Sequence, residues 1–225
     1  ITADDGYASW FSRGIPILDS LGLKSTSSII AAQIDTNGSW ATSGQLSAAY
    51  ANGHDLCAHG AASLATLGGE SAIYADVKLN RDYLADRGYS RALSYYVYPN
   101  GVYQLSAGDQ TIINVLKSLG MKMARGTVNP RWMKVPDGFS DAKWNQPIIG
   151  AGGAVSVATI KGYIDNLITY GALGNLMFHD ITLSGATSGT LMNHADFYEI
   201  AKYIADKVAA GLLIDVTASE VLATI

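Results

Sequence analysis

In Gly53-His54-Asp55-Leu56-Cys57-Ala58-His59, a helix end, a buried strand and a polar strand end follow one another, which is the unit from which a parallel α/β fold is built. Its glycine is the expected C-terminal stop of a short helix that begins at Ser43. Leu56 to Ala58 is an apolar run with the length of a brief buried strand. The segment therefore predicts a histidine, His59, at the carboxyl end of a strand.

The same alternation of helical segments and short apolar runs continues outward along the whole chain. Parallel strands need a crossover connection, and alternating helices supply it, so the pattern predicts an α/β fold with a parallel sheet. A distorted (β/α) barrel of about seven parallel strands suits 225 residues better than an open sheet, although an open sheet has the same periodicity. The predicted helices are 10–21, 43–52, 71–87, 109–119, 157–170 and 195–210; the predicted strands are a remnant before Asp4, then 25–34, 56–58, 92–98, 121–124, 176–178 and 212–216, with an irregular loop at 126–153.

Composition excludes several classes of protein. Apolar residues make up 48% of the chain and charged residues 15%, which is typical of an ordinary folded domain and not of a disordered chain. The net charge of −4 provides no basic surface for nucleic acid, and no apolar run approaches the roughly 20 residues of a membrane-spanning helix. The single cysteine, Cys57, excludes an internal disulfide and a multi-cysteine zinc site. We therefore expect one domain, residues 1–225, with neither nucleic-acid binding nor membrane insertion.

The chain starts abruptly at the segment Ile-Thr-Ala-Asp-Asp-Gly, without a secretion signal before it. This start suggests a domain cut from a longer polypeptide. We therefore expect the chain to be a module of a larger extracellular, cell-surface or virus-tail protein.

Polar residues follow four of the predicted strands directly. They are Asp4-Asp5, His59, Pro99-Asn100-Gly101 and His179-Asp180. In a parallel barrel the carboxyl ends of the strands lie on one rim, where catalytic groups are found. The four clusters are therefore predicted to converge on a single site.

These clusters belong to segments that resemble, in order, the motifs of the polysaccharide deacetylase family, also called the NodB-homology family of carbohydrate esterases. Thr2-Ala3-Asp4-Asp5-Gly6 is similar to the first motif, T-F-D-D-G, apart from an alanine in place of the phenylalanine. Residues 53–59 resemble G-H-E-I-x-x-H, which leads into the second motif. Residues 98–101, Tyr-Pro-Asn-Gly, resemble the Y-P-x-G form of the third, and 176–180 resembles the late motif ending in His-Asp. With a weaker echo at 216–221, the resemblance covers nearly the whole chain.

The resemblance implies the family's distorted (β/α) barrel and a role for each matching residue. Asp4 matches the catalytic base, and Asp5 and His59 match two metal ligands. His179 matches the general acid, and the backbone N–H at Asn100 matches a group that holds the oxyanion. The family's reaction is hydrolysis of an acetyl amide or ester on a polysaccharide. It uses a divalent metal, for which zinc is the first expectation here and cobalt, nickel and manganese are alternatives.

Two departures from the family's motifs concern the metal and the base. The second motif is H-x-x-x-H, but the fourth residue after His59 is Ser63, so a hydroxyl stands where the family has an imidazole. A neutral hydroxyl is a poorer zinc ligand, so the site is expected to hold the metal weakly, to recruit a different side chain or to hold more water. The third motif often begins with an arginine that pairs with the base, and Val97 occupies that place. Arg125, at the end of the next predicted strand, is the expected substitute.

Substrate contacts are expected from aromatic and polar residues near this rim, namely Tyr98, Pro99, Trp132 and Arg125. Two other functions remain open at this stage. A relative without metal would be a glycan-binding module, which Ser63 and Val97 favour. A glycoside hydrolase would need two carboxyl groups about 5–10 Å apart across a cleft. A serine esterase is disfavoured because the chain has no Gly-x-Ser-x-Gly segment.

Overall fold

The structure, a computed structural model, describes residues 1–129, 132–134, 141–152, 155–185 and 189–224 of the chain. Eleven strands are present in this part of the chain. They are β1 (Thr2–Ala3), β2 (Thr26–Ile29), β3 (Asp55–His59), β4 (Tyr95–Val97), β5 (Met123–Arg125), β6 (Met133–Lys134), β7 (Ile149–Gly150), β8 (Ala172–Leu173), β9 (Leu176–Phe178), β10 (Asp180–Thr182) and β11 (Leu191–Asn193). The helices are α1 (Ile15–Ser20), α2 (Ser43–Ala51), α3 (Glu70–Ala85), α4 (Thr111–Ser118), α5 (Val157–Tyr170), α6 (His194–Ala209) and α7 (Ala218–Leu222).

Seven of the strands form one parallel sheet in the order β5-β4-β3-β2-β1-β9-β7. A parallel bridge between Arg125 and Gln146 connects the β5 edge to the segment that leads into β7. Two backbone hydrogen bonds support this bridge, from Gln146 to Ala124 at 3.0 Å and from Gly126 to Gln146 at 3.0 Å. The sheet therefore curls round on itself, and the predicted distorted (β/α) barrel of seven parallel strands is confirmed.

The period of two along the strands separates two apolar cores. Leu56 and Ala58 of β3 point outward and pack in the large core between the sheet and the helices. Cys57 points inward and packs with Tyr95 and Met123 in a smaller core inside the barrel. The inward-facing ends of the strands therefore decide which side chains reach the rim.

Local signals in the sequence fix the helix ends. Thr42 and Gln45 form a reciprocal capping box at the start of α2, and Ser156 caps α5 by accepting from the Thr159 N–H. Gly171 ends α5 in the left-handed conformation, with φ of 57°. Among the described residues, none of the helices combines the length and the apolar character that crossing a bilayer needs.

One of the seven predicted strands was wrong in position. Residues 212–216 form no strand, since they run between α6 and α7 along the surface, where Ile214 is 81% exposed and Leu212 is 55% exposed. The seventh strand is β7, which lies inside the stretch 126–153 that was predicted as an irregular loop with short strands. Within that stretch, residues 130, 131, 135–140 and 153 lie outside the described residues.

Candidate active site

A sharp turn after β1 places two adjacent carboxylates on the same side of the barrel. The Asp4 N–H still donates to the Phe178 carbonyl at 3.0 Å, so Asp4 continues the sheet. Asp5 then adopts a left-handed backbone with φ of 72°, and Gly6 follows with φ of 83°. Left-handed backbone is uncommon for a residue other than glycine and tends to occur at functional sites. Because the chain turns at Asp5, its carboxylate does not point away from that of Asp4, as it would on a regular strand.

Asp4 forms a buried ion pair with Arg125. The Asp4 side chain is 5% exposed and that of Arg125 is 0% exposed, and the Arg125 guanidinium donates to Asp4 Oδ1. Ser28 also donates to Asp4 Oδ1, at 2.9 Å. Burial by itself would raise the pKa of Asp4, but the electrostatic effects of Arg125, His59 and His179 outweigh it and lower that pKa to about 2. Asp4 is therefore ionised at every pH near neutrality.

Strand register explains how Arg125 reaches Asp4. Arg125 on β5 lies directly beside Val97 on β4, and Val97 in turn lies beside His59 on β3. A side chain at position 125 therefore enters the same region of the barrel as one at position 97. The prediction that Arg125 pairs with Asp4 agrees with this geometry.

His59 ends β3 with its ring held between two oxygen acceptors. Its Nδ1 lies 2.8 Å from the Val97 carbonyl oxygen, which only accepts, so Nδ1 carries a proton and donates. Its Nε2 lies 3.2 Å from Asp5 Oδ1. Burial lowers the pKa of His59, but the hydrogen bond to Asp5 and the carboxylates of Asp4 and Asp5 outweigh it, so the pKa is raised above its ordinary 6.5.

The strand end after β9 brings His179 to the same place. His179 is half-buried between β9 and β10. Because Ala3 of β1 lies directly beside Phe178 of the parallel strand β9, Asp4 and His179 follow the ends of two neighbouring strands. The next residue, Asp180, accepts a hydrogen bond from Ser9, and the Ser9 hydroxyl in turn accepts from the Ile181 N–H at 3.0 Å. These bonds fix the turn that presents His179.

The strand end after β4 forms a tight turn at Asn100. Asn100 is exposed and has a left-handed backbone with φ of 56°, and Gly101 follows with φ of 70°. A Cβ at position 101 would lie 1.9 Å from the Thr127 hydroxyl, so only glycine fits there. This turn presents the backbone at Asn100 to solvent after a fully buried strand.

Among the described residues, no hydrogen bond links the Ser63 side chain to His59 or Asp5, which bond to each other. Ser63 is half-buried before the turn Leu64–Thr66, and its carbonyl accepts hydrogen bonds from Thr66 at 2.9 and 2.8 Å. In the part of the chain that the structure describes, no group of three or more His, Cys, Asp or Glu side chains has an arrangement that would hold a metal ion. Asp5 and His59, whose side chains bond to each other, are therefore the two adjacent residues of zinc-binding type on which a metal site could be built.

Three of the four predicted substrate contacts are buried side chains. Tyr98 is 1% exposed because it alternates outward and packs edge-on against Tyr96 at 5.6 Å, and Pro99 is buried beside it. Arg125 is completely buried against Asp4, which leaves no surface for a substrate. Successive side chains on β4 and β5 point to opposite faces of the sheet, and a sequence motif does not show which face each one takes.

Trp132 is the fourth predicted contact, and it lies at the opposite end of the barrel. It precedes β6, which pairs with β8 three residues before β9 begins, whereas His179 follows the carboxyl end of β9. Its ring stacks on Tyr170, the last residue of α5, at 5.8 Å. The structure therefore does not bring Trp132 to the other site residues.

Sequence reasoning missed one aromatic residue at the site. Tyr7 follows Asp5 and Gly6, and its pKa is raised by partial burial and by the carboxylates of Asp5 and Asp180. It is half-buried and directly follows the turn that carries Asp5. The only signal in the sequence was its position beside the first motif.

The chain matches the family model described as polysaccharide deacetylase over residues 1–124, more than half of its 225 residues. No curated protein sequence matches it. The match spans β1 to β4 and ends within β5, so it contains Asp4, Asp5 and His59 but not His179.

Solved structures with the same fold share little sequence with the chain. A family 4 carbohydrate esterase from Streptomyces lividans in complex with acetate is 15% identical over 95% of this chain and 88% of that one, with a TM-score of 0.59. A family 4 acetyl xylan esterase from Clostridium thermocellum in complex with a cobalt ion is 14% identical over 99% and 89%, with a TM-score of 0.61. A Streptococcus pyogenes deacetylase in complex with acetate is 18% identical over 66% of this chain and 62% of that one, with a TM-score of 0.55.

Proposed function

Because this chain belongs to the polysaccharide deacetylase family, we propose that it removes N- or O-acetyl groups from a polysaccharide by attack of a water activated beside Asp4. Membership of the family makes the chain a hydrolase of the carbohydrate-esterase type. The mechanism is the proposed part. The observation that supports it best is the convergence of Asp4, Asp5, His59 and His179 from three separate strand ends.

A divalent metal fits the pair of Asp5 and His59. The Val97 carbonyl accepts a hydrogen bond from the His59 Nδ1–H, and the other ring nitrogen, Nε2, faces the Asp5 carboxylate. A second hydrogen-bonding partner of this kind is typical of histidines that bind metal. A bound divalent ion would polarise the acetyl carbonyl and lower the pKa of an attacking water. Zinc is the first expectation, and two protein ligands imply weak binding, with water completing the site. The acetyl xylan esterase with the same fold carries cobalt.

Asp4 would accept the proton of the attacking water. Its low pKa keeps it ionised, and Arg125 and Ser28 hold its Oδ1 in place. A carboxylate with a pKa near 2 is a weak base, so it depends on a water whose own pKa has been lowered. In this proposal Arg125 is a positioning residue, since it acts on the reaction only through Asp4.

The acetyl oxygen would be stabilised as it gains charge by the backbone N–H at Asn100. Asn100 lies at an exposed turn directly after β4, beside the strand that ends in His59. A donor fixed by the backbone needs no reorganisation during the reaction, which is why such groups contribute strongly to catalysis.

Replacing His179 by Ala is expected to slow hydrolysis of an acetyl amide more than that of an aryl acetate. An amine must be protonated before it leaves, whereas a nitrophenolate leaves with little help, so only the amide needs the general acid. The ratio of kcat/KM on an N-acetylglucosamine tetramer to that on 4-nitrophenyl acetate should fall by about 10²-fold. An unchanged ratio in the folded variant would remove the general acid role from His179.

The acidic limb of the pH–rate profile is expected to depend on the metal concentration. The pKa of His59 is raised above 6.5, so its Nε2 is protonated as the pH falls through that range, and the proton competes with the metal. Asp4, with a pKa of about 2, stays ionised there and does not set the limb. A tenfold increase in zinc should move the midpoint of kcat/KM to lower pH. A midpoint that is independent of zinc would exclude His59 as the ligand that titrates.

A glycan-binding module is the second candidate function. It is favoured by one observation, namely that no group of three or more strong ligands is present among the described residues. The experiment that separates the two is acetate release by the purified chain, supplied with zinc, cobalt, nickel or manganese, from acetylated xylan, chitin oligosaccharides and peptidoglycan. Acetate from one of these supports the proposal and identifies the linkage. Binding without acetate supports the module, and new reducing ends would indicate a glycosidase.

We further propose that residues 1–225 act as a single catalytic domain. The family match ends within β5, but the closing bridge at Gln146 and the site residue His179 lie beyond it. A polysaccharide substrate would be met outside the cell or at a cell surface, in keeping with the expected location.

A further inference from the structure

A stacked aromatic pair stands at the rim of the candidate site. The rings of Tyr7 and Trp40 have centroids 4.8 Å apart and planes inclined by 22°. Tyr7 is two residues beyond Asp5, and Trp40 belongs to the loop that follows β2. None of the motifs considered above includes Trp40.

The backbone holds the two rings against each other. Tyr7 and Trp40 form an isolated antiparallel bridge. It is flanked by a hydrogen bond from the Ala8 N–H to the Ser39 carbonyl at 2.9 Å and by one from the Ala41 N–H to the Gly6 carbonyl at 2.9 Å. Two bonded neighbours fix the register of this short ribbon, so the stack is a built feature of the fold.

The pair remains partly open to solvent. Tyr7 and Trp40 are half-buried, and residues 35–39, which lead to Trp40, are all exposed. By comparison, Trp10 is 1% exposed and donates its indole N–H to Ser27 at 3.0 Å. Among the described residues, Tyr7 and Trp40 belong to neither of the two apolar cores.

The position of Tyr7 connects the pair to the chemistry. Tyr7 is two residues beyond Asp5, directly after the left-handed turn at Asp5 and Gly6 that follows β1. Trp40 stacks on the ring of Tyr7 and is half-buried like it, at the end of the exposed residues 35–39. A substrate that reaches Asp5 from outside the barrel would pass along the two rings.

We propose that Tyr7 and Trp40 form a wall against which a pyranose ring of the polysaccharide packs while its acetyl group lies at Asp4 and Asp5. Pyranose rings present a face of C–H groups, and the face of an aromatic ring, which carries negative charge density, attracts such polarised hydrogens. This inference rests on the proposed function and adds to it the part of the site that recognises the sugar ring.

Replacing Trp40 by Ala is expected to weaken binding of the glycan selectively. The KM for a chitin or acetylated xylan tetrasaccharide should rise about tenfold, which corresponds to about 1.4 kcal/mol. The KM for 4-nitrophenyl acetate, which lacks a sugar ring, should rise much less. Trp40→Phe keeps an aromatic face and should recover most of the loss.

Trp132→Ala is the matched control, because it removes half of a second stacked pair, with Tyr170, at the other end of the barrel. It should leave the KM for the tetrasaccharide within about twofold of the parent chain. A Trp40→Ala variant with an unchanged KM for the tetrasaccharide would overturn the proposal, and so would an equal rise in KM for both substrates, since that would indicate a purely structural role.

Calorimetry with the same tetrasaccharides separates failure of this inference from failure of the proposed function. If the parent chain releases no acetate but binds a tetrasaccharide, loss of that binding in Trp40→Ala supports the aromatic wall and unchanged binding refutes it. If the parent chain neither binds nor hydrolyses either tetrasaccharide, the inference is wrong.

Discussion

Replacing Asp4 by Asn is expected to reduce kcat for acetate release by at least about 10²-fold, because an amide cannot accept the proton of the attacking water. The structure adds a second effect. The Arg125 guanidinium is completely buried against Asp4, and the neutral amide would leave that charge without a counterion. Breaking a buried pair in this way costs about 3–5 kcal/mol of unfolding free energy. Kinetics and denaturant unfolding measure the two effects separately.

The double variant Asp4→Asn/Arg125→Gln tests whether the lost activity is only lost stability. It removes the buried cation together with the buried anion, so much of the stability should return while kcat stays low. Asp19→Asn is a further control, because Asp19 pairs with Lys24 and His54 away from the candidate site. A folded Asp4→Asn variant with kcat within tenfold of the parent would show that another group is the base.

Replacing His59 by Ala is expected to remove both the metal and the activity. His59 supplies the imidazole of the proposed ligand pair, and without it Asp5 would be the one remaining ligand of that pair. Metal content should fall to background after dialysis, and kcat/KM should fall by about 10²-fold or more. Metal analysis and acetate release on the same preparation provide the measurement.

His54→Asn is the control for this variant, because His54 directly precedes β3, at the opposite end of the strand from His59. His54 Nδ1 accepts from the Ser25 N–H at 3.1 Å and its Nε2 lies 3.1 Å from Asp19. Asparagine keeps part of this hydrogen bonding, so the variant should lose about 1–3 kcal/mol of unfolding free energy and keep its metal. A folded His59→Ala variant that retained metal and acetate release would place the site elsewhere.

Much of the fold could be predicted because the spacing of apolar residues shows which segments are helices and which are strands. Predicted helix 157–170 coincides with α5, and predicted strand 176–178 coincides with β9. The prediction of a strand at 212–216 was wrong because the residue types Leu and Ile do not show whether their side chains are buried, and here they are exposed. The two residues of β7 are too few to produce a periodic signal. Their strand character comes from pairing with β9, which is a tertiary effect.

The candidate site divides in the same way. Asp4, Asp5, His59 and His179 could be predicted to converge, because strand ends of a parallel barrel share one rim. Burial of Tyr98 and Arg125 depends on which face of a strand each side chain takes, and the motifs do not contain that information. The partner of Tyr7 could not be predicted either, since Trp40 is 33 positions away and pairs with it through an isolated bridge from the loop between β2 and α2.

The most direct test of the central claim is acetate release before and after removal of metal. The purified chain is treated with chelator, dialysed, and assayed on acetylated xylan and on chitin tetrasaccharide with and without added zinc or cobalt. Release should stop with the chelator, because two protein ligands hold the metal weakly, and either ion should restore it. Release that continues unchanged in the metal-free chain would contradict a metal held by Asp5 and His59.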